Sequence, residues 1–230
     1  MKKVVYLSLL ACFSQVCFSQ TVTDRIYIKG GSSAYEEFLK TIYQYPAFIP
    51  GIVLLKSGQR FYKPLNYNKI NAAIEFINEK NDTLTLAQEE TVNTVIINND
   101  VYFYTPACVR IIHNDKAKLY KYEKMKVGEV QKIGAMGIPN SGSAIESVSQ
   151  IDTHERSYDI DINETIILSR AATYLVELPD HQFVPANKKN FLKAYPTAEG
   201  DIKEFTKSKN TNFNKESDLV ELVTFLDGKL

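Results

Sequence analysis

The chain has no tryptophan, and it has only three cysteines and three histidines among its 230 residues. Two of the cysteines, Cys12 and Cys17, lie in the first twenty residues, so Cys108 is the single cysteine in the rest of the sequence. One cysteine cannot form an intramolecular disulfide. A polypeptide of this length is long enough to be stabilised by a buried core instead, as one domain or two small ones.

The residue types of common enzyme chemistry do not form recognisable motifs. His154 and Glu155 begin the helical zinc-protease pattern, but Tyr158 occupies the position of the second histidine. An extended chain would place Cys108 and His113 on opposite faces, so we interpret Cys108 as a buried structural residue and the histidines as surface or loop residues. We predict no catalytic residue, no metal ligand and no cofactor. A hydrolase that uses two carboxylates would show no such motif, because the fold and not the sequence spacing sets the distance between them.

Neither sign of charge dominates, because 27 basic side chains face 27 acidic ones. This balance disfavours nucleic-acid binding and electrostatic adhesion to a membrane. After the first twenty residues, no apolar run approaches the roughly 20 residues that a transmembrane helix needs.

Residues 1–19 are typical of a cleaved secretory signal. Two lysines precede a short apolar run over residues 4–13, and the small residues Cys17 and Ser19 precede a cut ahead of Gln20. We expect export to the periplasm, the outer-membrane surface or the medium, with 25 basic and 27 acidic side chains left in the mature chain. A lipoprotein cut at Cys12 is the alternative, although it would leave an unusually short signal.

Four hairpin patterns follow, in a chain with 14 tyrosines and 12 phenylalanines. Their predicted turns, at 56–58, 78–82, 98–100 and 114–115, contain Gly, Asn or Asp, which suit positive φ. We therefore predict a mainly β domain over residues 20–180, an antiparallel meander or a partly closed barrel or sandwich. Near its start, Ser33 and Glu36 predict a capping box for a helix with Phe38 and Ile42 on one face.

The second half of the sequence changes its pattern twice. Gly and Ser residues predict a long loop over 128–150, followed by strands over 157–162, 165–168 and 174–178. Residues 181–230 then predict a helical segment packed on the β domain. Its signals are the helix cap Asn187, the stop at Pro196 and two apolar stripes, Ala198, Ile202 and Phe205, then Leu219, Leu222, Val223 and Leu226.

Several stretches, "PLNYNKINAAIEFI", "VIINNDVYFY" and above all "ANKKNFLKAYP" followed by "NFNKESDLVELVTF", resemble a group of exported β-rich proteins from Bacteroidetes-type Gram-negative bacteria. The resemblance covers most of the chain after the signal. It implies export and a β-rich body with a helical tail. The group has no characterised activity, so the resemblance implies no functional residue.

Asp159 and Asp161 alternate with Ile160 and Ile162, which is the period of a half-buried strand. The alternative is a calcium site. A helix–loop–helix calcium loop would need Gly at Glu164 and a carboxylate six residues later, and neither is present. We favour the strand, and we expect no calcium-dependent rise in melting temperature.

One stretch predicts a binding surface. If residues 116–127 form a strand, the even positions place Lys118, Tyr120, Tyr122 and Lys124 on one face. Phenol rings give contact area and amines give charge, a combination that suits an anionic envelope glycan or another envelope protein. The alternative, which we favour, is a solvated edge strand whose lysines prevent pairing with other chains. If the row is a binding surface, Tyr120→Ala combined with Tyr122→Ala should leave stability nearly unchanged but lower retention of the protein on envelope material.

The sequence favours a non-catalytic binding or interaction module of the cell envelope. A hydrolase that acts on glycan or peptide through unrecognised carboxylates is the alternative. It would need a cleft with two acids within about 5–10 Å of each other.

Overall fold

The computed structural model describes residues 21–31, 33–87, 89–104, 107–132 and 164–230. In this part of the chain, eleven strands form one antiparallel sheet and four α-helices pack against it. The strands are β1 (Thr21–Lys29), β2 (Ile49–Leu55), β3 (Arg60–Asn68), β4 (Ala73–Ile77), β5 (Thr83–Thr85), β6 (Val92–Ile97), β7 (Asp100–Tyr104), β8 (Cys108–Asn114), β9 (Lys118–Lys132), β10 (Glu164–Glu177) and β11 (Phe183–Pro185). The helices are α1 (Ala34–Ile42), α2 (Lys188–Ala194), α3 (Glu199–Ser208) and α4 (Glu216–Asp227).

The sheet consists of two meanders joined side by side. Strands β2 to β5 follow one another in space, and the chain then crosses back so that β6 pairs with the other side of β2. Strands β6 to β10 continue in chain order, and β1 and β11 both pair with β10. The prediction of a mainly β, antiparallel fold with a C-terminal helical segment is confirmed, and the sheet does not close into a complete barrel.

The four predicted hairpin turns lie where the sequence places them, and their backbones explain the residue types. Gly58 has a φ of 87°, in the turn between β2 and β3. Asn81 and Asn98 have φ of 67° and 54°, in the turns that follow β4 and β6. These are left-handed conformations that glycine adopts freely and asparagine tolerates better than most residues.

Three local predictions differ from the structure. Strand β9 continues to Lys132, so residues 128–132 are not part of a loop, and the remainder of the 128–150 segment lies outside the described residues. The strands expected at 165–168 and 174–178 are one long strand, β10. Ser33 occupies the position before α1, but its side chain makes no capping hydrogen bond, so the predicted capping box is wrong.

The sheet curls strongly, so that strands distant in its order meet across its inner face. The Tyr67 hydroxyl on β3 donates to the backbone oxygen of Glu123 on β9, at 2.6 Å. The Met125 N–H on β9 donates to the backbone oxygen of Lys69, just after β3, at 2.7 Å. Four strands separate β3 from β9 in the sheet order, so these bonds hold a partly closed curl.

Three apolar clusters fill most of the inner face. The first lies among β2, β3, β4, β6 and β7 and includes Leu65, Ile74 and Val95. The second packs Phe38 and Ile42 of α1 against β1, β9 and β10, which confirms the predicted apolar face of that helix. The third packs the C-terminal helices against β9 and β10.

The C-terminal helices follow the sequence closely. The Asn187 side chain accepts a hydrogen bond from the Asn190 N–H at 3.0 Å, as a helix cap does. Both predicted apolar stripes are buried in the third cluster, together with Phe191. None of the helices in the described part of the chain has the length and apolar character that spanning a bilayer requires.

The curl can be tested through Tyr67. Tyr67→Phe removes the hydroxyl that bonds across the inner face and leaves a buried carbonyl with one fewer donor, so we expect the free energy of unfolding to fall by about 1–2 kcal/mol. Urea denaturation measures this. Tyr62→Phe, on the same strand but with a side chain 67% exposed, is the matched control and should change it by less than about 0.5 kcal/mol. Equal values for the two variants would contradict a stabilising role for the cross-curl bond.

Candidate functional site

The predicted row of lysines and tyrosines does not form one open surface. Strand β9 begins at Lys118 and lies in the interior of the sheet, between β8 and β10. It is not an edge strand, so protection of an edge does not explain its lysines. Both faces of β9 are partly covered, by the C-terminal helices on one side and by an aromatic cluster on the other.

Tyr120 is a core residue. It is 2% exposed, and its ring makes edge contacts with Phe183 and Phe103, with ring centroids 4.8 and 5.3 Å away. Its hydroxyl donates to a Glu177 carboxylate oxygen at 2.9 Å. Burial, and next the hydrogen bond to Glu177, raise the pKa of Tyr120 well above its ordinary value, so the hydroxyl stays protonated. The prediction that Tyr120 lies on an exposed face is therefore wrong.

The other members of the row have separate environments. Tyr122 is half-buried and packs beside Val109, Tyr120 and Leu175 and against the cluster around Leu65. Lys124 is partly exposed. Neither lines the cavity that contains Lys118.

Lys118 lines an open cavity of about 190 Å³ at the beginning of β9. The cavity lies between the turn before β9, the turn between β10 and β11, and the end of α2. Its lining residues are Lys116, Lys118, Glu177, Leu178, Pro179, His181, Ala194 and Tyr195.

Glu177 is the centre of the polar contacts in this cavity. It accepts the Tyr120 hydroxyl on one oxygen and contacts His181 Nδ1 at 2.7 Å with the other, and Lys118 Nζ lies 3.7 Å away. Burial raises the pKa of Glu177, but the hydrogen bonds from His181 and Tyr120 and the charge of Lys118 lower it more. The carboxylate is therefore ionised near neutral pH, and Nδ1 of His181 carries the proton that it donates.

A tight turn presents His181 to Glu177. The N–H of Leu178 bonds the oxygen of Gln182 at 2.8 Å, and the N–H of His181 bonds the oxygen of Leu178 at 2.9 Å. His181 itself has a φ of 63°, in the left-handed region that few residues other than glycine adopt and that histidine, asparagine and aspartate tolerate best. The ring is 86% exposed, so the turn holds a solvent-accessible imidazole against a partly buried carboxylate.

A second set of bonds fixes the backbone around Lys116 and Lys118. Asp227, the last residue of α4, accepts the Ala117 N–H at 2.8 Å and contacts His113 Nε2 at 2.5 Å. The Tyr195 hydroxyl accepts the N–H of Lys118 at 2.7 Å. Burial raises the pKa of Asp227, but the Ala117 N–H and His113 lower it more. The expectation that His113 is a surface or loop residue is wrong, because it is half-buried in β8 and holds α4 to the sheet.

The arrangement suits an anion. Two lysines and one carboxylate line the cavity, so the ionised groups of the lining carry one net positive charge. Among the described residues, no three His, Cys, Asp or Glu side chains come together in a way that could hold a metal ion. Cys108 is buried, as predicted, in the cluster around Leu65.

A second polar cluster lies inside the curl but leaves little room for a ligand. Lys121 Nζ contacts Glu123 at 2.8 Å and Glu216 at 3.1 Å, and Arg110 contacts Asp100 at 3.0 Å. The cavity beside these groups measures about 10 Å³, the space of about one water molecule. We interpret this cluster as structural.

Sequence reasoning found Lys118 but missed Glu177, His181 and Tyr195. The only local signal for them was the dipeptide Pro179-Asp180, which marks the turn that presents His181. The strand predicted over 157–162, with Asp159 and Asp161, lies outside the described residues. The strand and calcium interpretations of those aspartates therefore stay predictions.

No protein-family model, no curated protein and no solved structure matches the chain.

Burial changes the expected outcome of mutating the tyrosines. Tyr120→Ala removes a core ring and one of the hydrogen-bond donors to Glu177, so we expect the free energy of unfolding to fall by about 3 kcal/mol or more. Lys124→Ala, four residues along the same strand, should change it by about 0.5 kcal/mol or less. Chemical denaturation followed by circular dichroism compares them. A Tyr120→Ala variant as stable as Lys124→Ala would contradict the buried position.

The lowered pKa of Glu177 predicts how the free energy of unfolding changes with pH. Because its pKa is lower in the folded chain, its contribution is fully present above the ordinary value of 4.5 and is lost as the pH falls through the lowered value. Wild type should exceed Glu177→Gln in free energy of unfolding by about 1 kcal/mol near neutral pH. This difference should shrink steadily below pH 4.5. A difference that is constant with pH would show that Glu177 is not held as an ionised acceptor.

Proposed function

We propose that the protein is an exported, non-catalytic binding module of the cell envelope, and that the cavity at Lys118 binds an acidic group of an envelope glycan. The observation that carries the proposal is the composition of the cavity lining, in which two lysines accompany one carboxylate. The N-terminal pattern of lysines, apolar run and small residues supports export.

The shape of the cavity favours a carbohydrate group over a bare ion. Leu178, Pro179 and Ala194 give it apolar surface, and Tyr195 adds an aromatic ring. A sugar ring with a carboxylate presents both an apolar face and a charge. It can therefore contact this surface and the two amines together.

The size of the charge interactions at the Lys118 cavity predicts weak and salt-sensitive binding. In water, two unit charges 4 Å apart interact by about 1 kcal/mol. An acidic group near Lys116 and Lys118 would gain about that much from each amine, and repulsion from Glu177 would offset part of the gain. Ions screen such exposed charges within about 10 Å at 0.1 M salt.

A hydrolase receives less support from the same geometry. Acid–base hydrolysis of a glycoside needs two carboxyl groups about 5–10 Å apart. Glu177 is the one carboxylate in the lining of the Lys118 cavity, and its hydrogen bonds hold it as an acceptor. Binding without turnover is therefore the function that this site supports best.

Charge removal tests the site. Lys116→Gln combined with Lys118→Gln should abolish retention of the mature protein on an immobilised polyuronate at about 50 mM salt. The matched control is Lys40→Gln with Lys207→Gln, which removes the same charge from exposed positions on α1 and α3. This control should elute with wild type.

Equal loss of retention in the control would show nonspecific charge attraction, and full retention of the cavity variant would refute the proposed site. Release of reducing ends from the polyuronate during the experiment would favour the hydrolase instead.

Export has its own test. The protein recovered from the cell envelope of its source should begin at Gln20 when sequenced from the N-terminus. A lipidated protein that begins at Cys12 would favour the lipoprotein alternative. An intact N-terminus, found only in the cytoplasm, would contradict export.

A further inference from the structure

A different cavity, of about 280 Å³, lies on the inner face of the curl, among β2, β3, β4 and the start of β6. Apolar side chains form most of its lining, among them Leu55, Phe61, Phe76 and Leu86. It shares no residue with the Lys118 cavity. An inference about it therefore stands apart from the function proposed above.

Among the residues that the structure describes, no α-helix packs against this part of the inner face. Helix α1 packs against β1, β9 and β10, and α2 to α4 pack against β9 and β10. Phe61 points into the cavity and is nevertheless 41% exposed. Burial of apolar surface contributes roughly 25 cal/mol of favourable free energy for each Å² removed from water, so this cavity favours an apolar ligand.

The polar groups of the lining define the ligand further. Of the residues that line this cavity, Lys63 is the one with a charge, and no acid accompanies it. Its Nζ lies 3.7 Å from Glu79, whose side chain is 92% exposed. Such exposed ion pairs contribute about 0–1 kcal/mol, so a ligand anion can replace Glu79 at little cost.

The same lining disfavours polar ligands. A sugar or nucleobase would bring several hydroxyl or amide groups, and most of them would lose water without gaining a partner among leucine, valine and phenylalanine side chains. An alkyl chain with one anionic end satisfies both the apolar lining and Lys63. The volume lies just below the roughly 300–1,000 Å³ of typical ligand pockets, which favours a single chain of moderate length.

We propose that this cavity binds an aliphatic carboxylate, with its alkyl chain among the apolar side chains and its carboxylate on Lys63 Nζ.

The test compares decanoate with decanol, which have chains of equal length but different charge. Isothermal titration of the protein below the micelle-forming concentration should show saturable binding of both, with tighter binding of decanoate. Lys63→Gln should weaken decanoate binding about fivefold and leave decanol binding unchanged. Lys63→Arg should keep the wild-type difference between the two ligands.

Phe61→Asp tests the location without removing a buried side chain, because Phe61 is already partly exposed. It places a carboxylate in the lining and should abolish binding of both ligands, while Lys118→Gln should bind both as wild type does.

The absence of saturable decanoate binding would overturn the proposal. Unchanged decanoate binding in Phe61→Asp, or equal weakening of decanol and decanoate in Lys63→Gln, would overturn it as well.

Discussion

The structure depends on Lys69, the residue that follows β3, because it joins three elements distant in sequence. Its backbone oxygen accepts the Met125 N–H of β9, and its N–H donates to the oxygen of Ile42 at the end of α1, at 2.8 Å. Its amine donates to the oxygen of Tyr43 at 3.0 Å, where the negative end of the helix dipole favours a cation. Helix α1 and β9 are therefore bound to the same point of the β3–β4 turn, and the curl follows from this.

Curling places polar groups inside the protein, and their pairing explains why the curl is stable. Burial lowers the pKa of Lys69, because its charged amine loses solvation in the folded protein. Lys121 has two carboxylate partners, Glu123 and Glu216, the second of which comes from α4. Burial raises the pKa of Glu123, but Lys121 lowers it more, so the pair is ionised. Because a buried charge without a partner is costly, these contacts also hold α4 in register with the sheet.

Local chemistry made part of this fold predictable. Asn, Asp and Gly indicate the hairpin turns because only a few residue types accept a positive φ, as Gly58 and Asn98 show. The helical spacing of apolar residues indicates the C-terminal helices, because only a helix places those residues on one face that can be buried. The return of the chain from β5 to pair β6 with β2 has no local signal, since any of the open strand edges would satisfy the same hydrogen bonds. The lateral order of the strands is therefore a property of the whole chain.

The candidate site is even less predictable from the sequence than the order of the strands. A period of two tells which residues of β9 share a face, but not whether that face is covered. The alternation predicts an exposed Tyr120, because no sequence pattern reveals that Phe183, on β11, lies over it. Glu177, His181 and Tyr195 meet Lys118 only because β10, the following turn and α2 return to the start of β9. Spacing along the sequence cannot predict such a meeting.

The distribution of helices over the inner face decides where ligands can bind. A cluster of twelve buried residues, from the C-terminal helices and from the strands and loops that they pack against, fills the curl beside β9 and β10, and the cavity at Lys118 lies at the margin of that filled region. Beside β2 to β6 the sheet supplies most of an apolar lining, and no α-helix in the described part of the chain packs over it, so a volume of about 280 Å³ stays open. The two cavities therefore differ in chemistry for one structural reason. Helix ends and turns bring backbone and charged groups to the first, whereas side chains of strands form most of the lining of the second, and the segment between β5 and β6 supplies the rest. A ligand with both an acidic group and an alkyl chain would bind the two cavities differently. It would place its acidic group at the lysines of the first cavity and bury its alkyl chain in the second.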